Sequence, residues 1–183
     1  MKNKFLKSLK IILDNKQFIE GVESLSSQIL KRNEGKDFAI IGIQQGGVVL
    51  SDEIFALLSL KLPNEKIKYG QLDITFYRDD LRKNILSPDK MNIPFAIENM
   101  NIILIDDVLF TGRTIKAALD VLLDYGRPAK VELCVLADRK EHRQFPIQAD
   151  YCFISPQTKT GEKIKLLKDK NGNKELVLIG EEK

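Results

Sequence analysis

The feature that most constrains the fold is an apolar run that ends in two adjacent acids. Ile102 to Ile105 are all apolar, Asp106 and Asp107 follow them, and a short apolar turn leads to the hydroxyl-rich stretch from Thr111 to Thr114. Four consecutive apolar residues bounded in this way predict a strand of a buried parallel sheet. Since open α/β sheets bind ligands at the carboxyl ends of their strands, the two acids are predicted to face a ligand.

The stretch from Thr111 to Thr114 is predicted to open a helix that binds a phosphate. Unpaired N–H groups and about half a positive charge at the first turn of a helix attract anions. The two threonine hydroxyls and Arg113 add donors, and Gly112 allows the backbone to come close to a ligand. The preceding acids carry a solvation penalty that a ribose diol and a hydrated divalent cation would remove. Together the residues predict a site for a phosphorylated sugar.

The rest of the chain predicts strands that alternate with helices, and therefore an α/β fold with a mainly parallel sheet wrapped by helices. The chain has 183 residues, of which 43% are hydrophobic, so a single domain over residues 1–183 is expected. The predicted strands are Phe38 to Ile43, Ile67 to Thr75 and Val131 to Ala137. The predicted helices run from about 16 to 32, capped by Asp14, from Val48 to Leu60, and from an opening at Thr111 to Thr114 to a stop at Gly126. A hairpin that turns at Asn171 and Gly172 is predicted beyond Tyr151.

Charge and cysteine content exclude several classes. The formal net charge is only +3, too small to imply nucleic-acid binding without a local basic patch. Cys134 and Cys152 lack metal-type spacing and are predicted to be reduced structural thiols. The longest apolar run near the N-terminus is three residues, too short for a signal sequence or a membrane span. We therefore expect a cytoplasmic protein without membrane or DNA partners.

The run DDVLFTGRT, residues 106–114, resembles the phosphoribosyl pyrophosphate (PRPP) motif of type I phosphoribosyltransferases. More narrowly it resembles the PyrR family, which comprises bifunctional uracil phosphoribosyltransferases and pyrimidine operon attenuators. The stretches DITFYRDDL at 73–81, DYGRPAKVELCVLADR at 124–139 and HRQFPIQADY at 142–151 strengthen the resemblance. It implies the type I fold, in which a central, mainly parallel sheet flanked by helices carries a small hood, here about 138–183, with a C-terminal hairpin.

The resemblance also implies roles for individual residues. Asp106 and Asp107 would bind the ribose hydroxyls of PRPP and, indirectly, Mg²⁺. The remaining implied contacts are the 5′-phosphate cradle of Thr111, Gly112, Arg113 and Thr114, the pyrophosphate loop with Gln45 and Gly46, and a base pocket of Phe110, Asp138, Arg139 and Tyr151.

Residues 76 to 96 are rich in charge around two prolines and lack a sustained periodicity, which predicts a long lid loop. Such a lid would close over the pyrophosphate and exclude water. Tyr77, Arg78 and Arg82 are predicted to act in catalysis from this loop.

At two places the chain departs from the PyrR sequence pattern, and a third position restricts the identity of the base. Gly46 stands where PyrR proteins usually carry a basic residue, so the lid cations are candidates to replace that charge. Phe110 stands where purine-using relatives often have an aspartate that handles the proton of the purine ring, which favours a pyrimidine. After Tyr151 the chain reads CFISPQTKTG in place of the Gly-Lys-Asn-Ile-Pro-Thr-Ser segment of PyrR proteins.

These residues predict an Mg²⁺-dependent phosphoribosyltransferase that joins a nucleobase, with uracil favoured, to PRPP and releases pyrophosphate. A homodimer or larger homo-oligomer is expected by resemblance. The alternative is a nucleotide-sensing RNA-binding attenuator with little catalysis, which is disfavoured because Ile19, Glu20 and Ser24 stand where positive charge is expected. A receiver-type phosphorylation domain is a third, weaker reading. A hydrolase is disfavoured because His142, the only histidine, lies in a polar turn predicted to be solvated.

Overall fold

The computed structural model describes residues 7–63, 67–74 and 92–181. Strands and helices alternate through the middle of the chain, and the sequence ends in a hairpin. In chain order the elements are β1 (Lys7–Leu13), α1 (Asn15–Arg32), β2 (Phe38–Ile43), α2 (Gly46–Lys61), β3 (Lys68–Leu72), β4 (Asn101–Leu109), α3 (Arg113–Tyr125), β5 (Lys130–Asp138), a short 3-10 turn (Lys140–His142), β6 (Tyr151–Ile154), β7 (Lys163–Lys168) and β8 (Lys174–Glu181).

Five of the strands form a parallel sheet in the order β3-β2-β4-β5-β6. Its central strand, β4, is buried on both faces because separate apolar clusters cover the two sides, with Ile103 and Ile105 in one and Ile102 and Leu104 in the other. The predicted α/β class with a mainly parallel sheet is thereby confirmed. All five strands run in the same direction, so their carboxyl ends meet at one edge.

Helix α1 forms as the sequence predicts. Asp14 caps it, since its Oδ1 accepts the N–H of Gln17 at 2.8 Å while the side chain of Gln17 accepts the N–H of Asp14 at 3.0 Å. The apolar residues spaced at four, three and four positions are all buried against the sheet: Phe18, Val22, Leu25 and Ile29.

A second, antiparallel sheet joins the two ends of the chain in the order β1-β8-β7, and we call it the terminal sheet. The predicted C-terminal hairpin is present, and its turn contains Gly172 at a φ of 88°. Strand β1, in which Leu9 pairs with Ile179 of β8, was not predicted. The buried residues Ile164 and Leu176 attach this sheet to the core.

Two predicted boundaries next to the acid pair are wrong. Helix α2 begins at Gly46 rather than Val48, and β4 does not end before the acids but continues to Leu109. The strand continues because β5 pairs with it as far as Leu109 opposite Asp138. The acid pair therefore lies within the last part of β4.

Most of the predicted lid lies outside the described residues, including Tyr77, Arg78 and Arg82. At the described end of this segment, Asn92 exchanges backbone hydrogen bonds with Gln71 of β3. None of the helices in the described ranges is long and apolar enough to cross a membrane.

Candidate active site

A cavity of about 450 Å³ opens at the carboxyl edge of the parallel sheet, within the usual range for small-molecule sites. Its walls come from the residues after β2, β3 and β5, the end of β4, the start of α3 and strand β7. The lining residues are Gln44, Gln45, Gly46, Ile74, Asp106, Asp107, Val108, Phe110, Thr114, Arg139, Lys163, Ile164 and Lys165. An adjoining cavity of about 320 Å³ is lined by Asp106 and by residues 108–115.

The acid pair forms the floor of the larger cavity. Asp106 is only 7% exposed, and its Oδ1 accepts the N–H of Asp107 at 3.0 Å. Asp107 is half-buried, and its Oδ1 accepts the N–H of Val108 at 3.0 Å. The N–H of Leu166 in β7 also donates to the Asp107 carboxyl.

Burial raises the pKa of Asp107, and its hydrogen bonds to Asp106 and to three backbone N–H groups offset that effect only in part. The ionised form of Asp107 is therefore short of stabilising partners. A ligand that offers hydroxyl donors or a cation would favour that ionised form.

The loop between β2 and α2 approaches the acids closely. A Cβ atom at Gly46 would overlap the Asp107 carboxylate, and one at Gly47 would lie 2.9 Å from the Cα of Asp106. Glycine at both positions thus allows the start of α2 to lie against β4. The loop is held by the N–H of Gln44, which donates to Leu72 O at 2.9 Å, and the peptide bond that follows Gln44 is cis.

The predicted phosphate cradle forms the smaller cavity. Gly112 has a φ of 92° and directly precedes α3, a conformation that favours glycine. The carbonyl of Thr111 accepts the N–H groups of Gln144 at 3.0 Å and Phe145 at 3.2 Å, and Arg113 Nε donates to Gln144 Oε1 at 3.2 Å. These contacts fix the loop so that the first turn of α3 borders the cavity.

Phe110 and Arg139 lie together at one side of the larger cavity. Phe110 is 41% exposed, and the Arg139 guanidinium lies 4.1 Å from the centre of its ring. Arg139 is 3% exposed, its Nε donates to Thr158 Oγ1 at 2.8 Å, and its buried Nη2 has no hydrogen-bond partner among the described residues. Burial lowers the pKa of Arg139 despite the charges of Glu141 and Glu162. A flat, partly exposed ring beside a guanidinium suits a planar ligand that carries a carbonyl group.

The structure does not bring two predicted base-pocket residues to the cavity. Tyr151 is 2% exposed, because β6 directs its ring toward the amino end of β5, where its OH donates to Glu132 Oε2 at 2.8 Å. The side chain of Asp138 is buried and paired with Arg143, which also donates to the carbonyl of Phe110. Asp138 therefore supports the loop behind the pocket instead of lining it.

His142 is not the solvated side chain that the sequence predicts. Its ring lies 5.2 Å from that of Phe110, edge to face, and its Nε2 is 3.2 Å from Thr158 Oγ1. The prediction missed the two cavity lysines of β7, Lys163 and Lys165. The alternation of the hairpin predicts the strand, but no local signal shows that it meets the acid pair.

The donor set fits a magnesium ion that is bound together with a phosphorylated ligand. Among residues 7–63, 67–74 and 92–181, no group of three or more His, Cys, Asp or Glu side chains could hold a metal. Mg²⁺ is commonly bound by one or two carboxylates, with waters and substrate phosphates completing its shell. Asp106 and Asp107 provide two such carboxylates at the cavity floor.

Comparison with known proteins assigns this architecture to a family. The family model described as "Phosphoribosyl transferase domain" matches residues 8–178. The bifunctional protein PyrR of Geobacter sulfurreducens is 43% identical over 162 residues, covering 87% of this chain and 90% of that protein. The bifunctional protein PyrR of Caldicellulosiruptor bescii is 40% identical over 177 residues, covering 95% of this chain and 96% of that protein.

Solved structures give the same fold. A hypoxanthine phosphoribosyltransferase from Staphylococcus aureus matches with a TM-score of 0.66 at 19% identity, covering 82% of this chain and 79% of that chain. A hypoxanthine-guanine phosphoribosyltransferase from Bacillus anthracis matches with a TM-score of 0.64, also at 19% identity, over 84% and 86% of the two chains. At this level of identity the likeness concerns the fold alone.

Proposed function

We propose that this chain, which belongs to the phosphoribosyltransferase family and within it to the PyrR group, transfers the phosphoribosyl group of PRPP to a nucleobase, with uracil the favoured acceptor. In this reaction a ring nitrogen of the base bonds to C1′ of the ribose as the bond from C1′ to pyrophosphate breaks. The base loses its ring proton, and the products are UMP and pyrophosphate. The observation that carries the proposal is the acid pair, which lies in one cavity with a glycine loop and the start of a helix.

Each part of PRPP has a matching wall of the cavity. Asp106 and Asp107 would accept hydrogen bonds from the ribose hydroxyls, and the first turn of α3 would hold the 5′-phosphate with the hydroxyls of Thr111 and Thr114. Gly46 borders the opposite wall, where the pyrophosphate would lie. Fixing both ends of the donor places C1′ for attack and lowers the entropic part of the barrier.

Mg²⁺ is the cofactor we propose, held through PRPP beside Asp106 and Asp107. When bound, it supplies charge that stabilises the leaving pyrophosphate. The carboxylates would orient the ribose diol and, at the same time, favour the positive charge that develops on the ribose ring.

Phe110 and Arg139 support a carbonyl-bearing base as acceptor. The exposed ring of Phe110 offers a stacking face, and the Arg139 guanidinium beside it adds positive charge at the side of the cavity where a base carbonyl would lie. Phenylalanine cannot exchange a proton with the base, which favours uracil over a purine.

A panel of bases tests the proposal. Pyrophosphate release should be measured with PRPP, Mg²⁺ and each of uracil, hypoxanthine, guanine, xanthine, adenine and orotate. We expect turnover with uracil alone. Turnover confined to purines would overturn the choice of acceptor, and absence of turnover with every base would overturn the transferase proposal.

A second candidate is binding of RNA in response to uridine nucleotides, which the name "bifunctional" of the relatives motivates. Helix α1 gives it little support because Ile19 is 49% exposed on its surface and Glu20 lies beside it. UMP-dependent, saturable RNA binding at physiological salt would establish this activity. Sedimentation of the protein would test the proposed homodimer or larger homo-oligomer.

A further inference from the structure

The terminal sheet brings two lysines to the candidate active site. Lys163 and Lys165 of β7 line the same cavity as Gly46 and Asp107. Because they are two residues apart on one strand, their side chains leave the same face of the hairpin. The N–H of Leu166 donates to the Asp107 carboxyl, so the backbone of β7 contacts the acid pair directly.

The loop on the neighbouring wall of the cavity offers no positive side chain. Residues 44–47 are two glutamines and two glycines. A larger residue cannot replace Gly46 while Asp107 keeps its position, since even a Cβ atom there would overlap the carboxylate. A pyrophosphate group beside this loop would meet a carboxylate and backbone amides, but no cation from the loop itself.

Among the described residues that line the cavity, the cationic side chains are Arg139, Lys163 and Lys165. Arg139 is stacked on Phe110 and bonded to Thr158, at the side proposed for the base. Neither ammonium group forms a hydrogen bond or ion pair with another described residue, although the strand backbone pairs with β8. The two ammonium groups are therefore the cations available, within the described chain, for the end of the cavity away from the base.

We propose that Lys163 and Lys165 bind the pyrophosphate group of PRPP and supply the positive charge that the loop before α2 lacks. This inference rests on the proposed function. Negative charge grows on the pyrophosphate as its bond to C1′ breaks, so ammonium groups placed there stabilise the transition state as well as the bound donor. Strand β7 would then bind the leaving group in addition to forming a wall of the cavity.

The variant Lys163→Gln/Lys165→Gln tests this role. Its matched control is Lys168→Gln/Lys170→Gln, which removes the same charge from the same hairpin at exposed positions outside the cavity. We expect the KM for PRPP and the inhibition constant of pyrophosphate to rise about tenfold in the first variant. The KM for uracil and the inhibition constant of ribose 5-phosphate, which lacks the pyrophosphate, should stay within about twofold, as should every constant of the control.

The variant Lys163→Arg/Lys165→Arg should retain most of the affinity for PRPP. An unchanged KM for PRPP in the glutamine variant would overturn the inference, as would an equal loss of ribose 5-phosphate binding or an equal effect in the control variant. Calorimetric binding of PRPP with Mg²⁺ separates this result from the proposed function. If the wild type has no turnover but binds PRPP, a selective loss of that binding in the glutamine variant supports the two lysines while the transferase proposal fails. If the wild type does not bind PRPP, both proposals fail.

Discussion

Two buried acidic regions lie at opposite ends of the parallel sheet, and they differ in what surrounds the carboxylates. Glu132, near the amino end of β5, is 2% exposed and is bonded to Arg32 at 3.0 Å, Lys130 at 2.5 Å and the OH of Tyr151 at 2.8 Å. Burial raises the pKa of Glu132, but these contacts and the one with Asn33 outweigh it, and the pKa is lowered. For Asp107, burial outweighs the hydrogen bonds and the pKa is raised.

This difference separates a structural acid from a ligand-binding acid. At Glu132 the protein itself provides the cations and donors, so the region is complete without a ligand. At Asp107 the hydrogen bonds among the described residues come from Asp106 and from backbone N–H groups, and the residue lines the cavity. A carboxylate that the fold leaves short of partners is available to bind a sugar hydroxyl or a metal.

The largest expected effect is the loss of turnover in the variant Asp106→Asn/Asp107→Asn. Amides cannot hold the ribose diol or Mg²⁺ as carboxylates do, so kcat/KM should fall by about 10³ or more. The control is Asp120→Asn, which removes an exposed acid paired with Lys116 on α3. Circular dichroism should show an intact fold in both variants. Wild-type activity in the double variant would end the assignment of the site.

The second-largest effect is expected at the other end of the sheet, where a substitution should lower stability and leave activity unchanged. Glu132→Ala leaves buried donors without an acceptor and should lower the free energy of unfolding by about 3 kcal/mol. The control, Glu20→Ala, removes an exposed acid 3.9 Å from Lys16 and should cost less than about 1 kcal/mol. Urea unfolding measures both. At a temperature where Glu132→Ala is folded, a change in kcat/KM of more than about threefold would contradict a purely structural role.

The pH dependence of this second effect has a definite sign. The pKa of Glu132 is lower in the folded than in the unfolded protein, so its stabilisation is present above the ordinary carboxyl pKa. It is lost as the pH falls through the lowered folded value. The gap in stability between the wild type and Glu132→Ala should therefore shrink in acid.

Local patterns predicted the parts of the molecule in which sequence neighbours decide the outcome. The cap at Asp14 and the apolar stripe of α1 depend on contacts three or four residues apart, and they formed as predicted. The end of β4 was misplaced because two acids look like a strand end, while pairing with β5 carries the strand to Leu109. The hydrophobic pattern alone does not predict the pairing of β4 with β5.

The candidate site also contains residues that are neighbours in the sequence and residues that only long-range contacts bring together. Asp106, Asp107 and Thr114 line one cavity, as the motif predicts, because they follow one another on β4 and α3. Tyr151 lies away from the cavity because the register of β6 and its hydrogen bond to Glu132 decide where its ring lies. Lys163 lies at the cavity because β7 packs against the end of β4, a contact between strands far apart in the sequence. Such long-range placement is not visible in a local pattern.

A smaller effect is expected from Gly46→Ala, which tests whether the acid pair depends on the space beside it. The added Cβ atom must displace the Asp107 carboxylate, so the KM for PRPP should rise about tenfold. The control is Gly21→Ala in α1, where a Cβ atom would meet Phe153 Cδ1 at 2.9 Å, far from the cavity. That variant should lose stability and keep its KM. An unchanged KM in Gly46→Ala would show that Asp107 can move without consequence.

The smallest effect distinguishes the two acids by the sign of their pH dependence. The pKa of Asp107 is raised on folding, so its carboxyl favours the folded state below its ordinary pKa and loses that contribution as the pH rises through the folded value. Asp107→Asn should therefore raise the Tm at pH 7, on the order of 2 °C, and leave it unchanged in acid. Differential scanning calorimetry across this pH range makes the measurement. Saturating Mg²⁺ and PRPP should reverse the order at pH 7, because they stabilise only the protein that retains the carboxylate. A lower Tm for Asp107→Asn at pH 7 without ligand would place Asp107 with Glu132 among the structural acids.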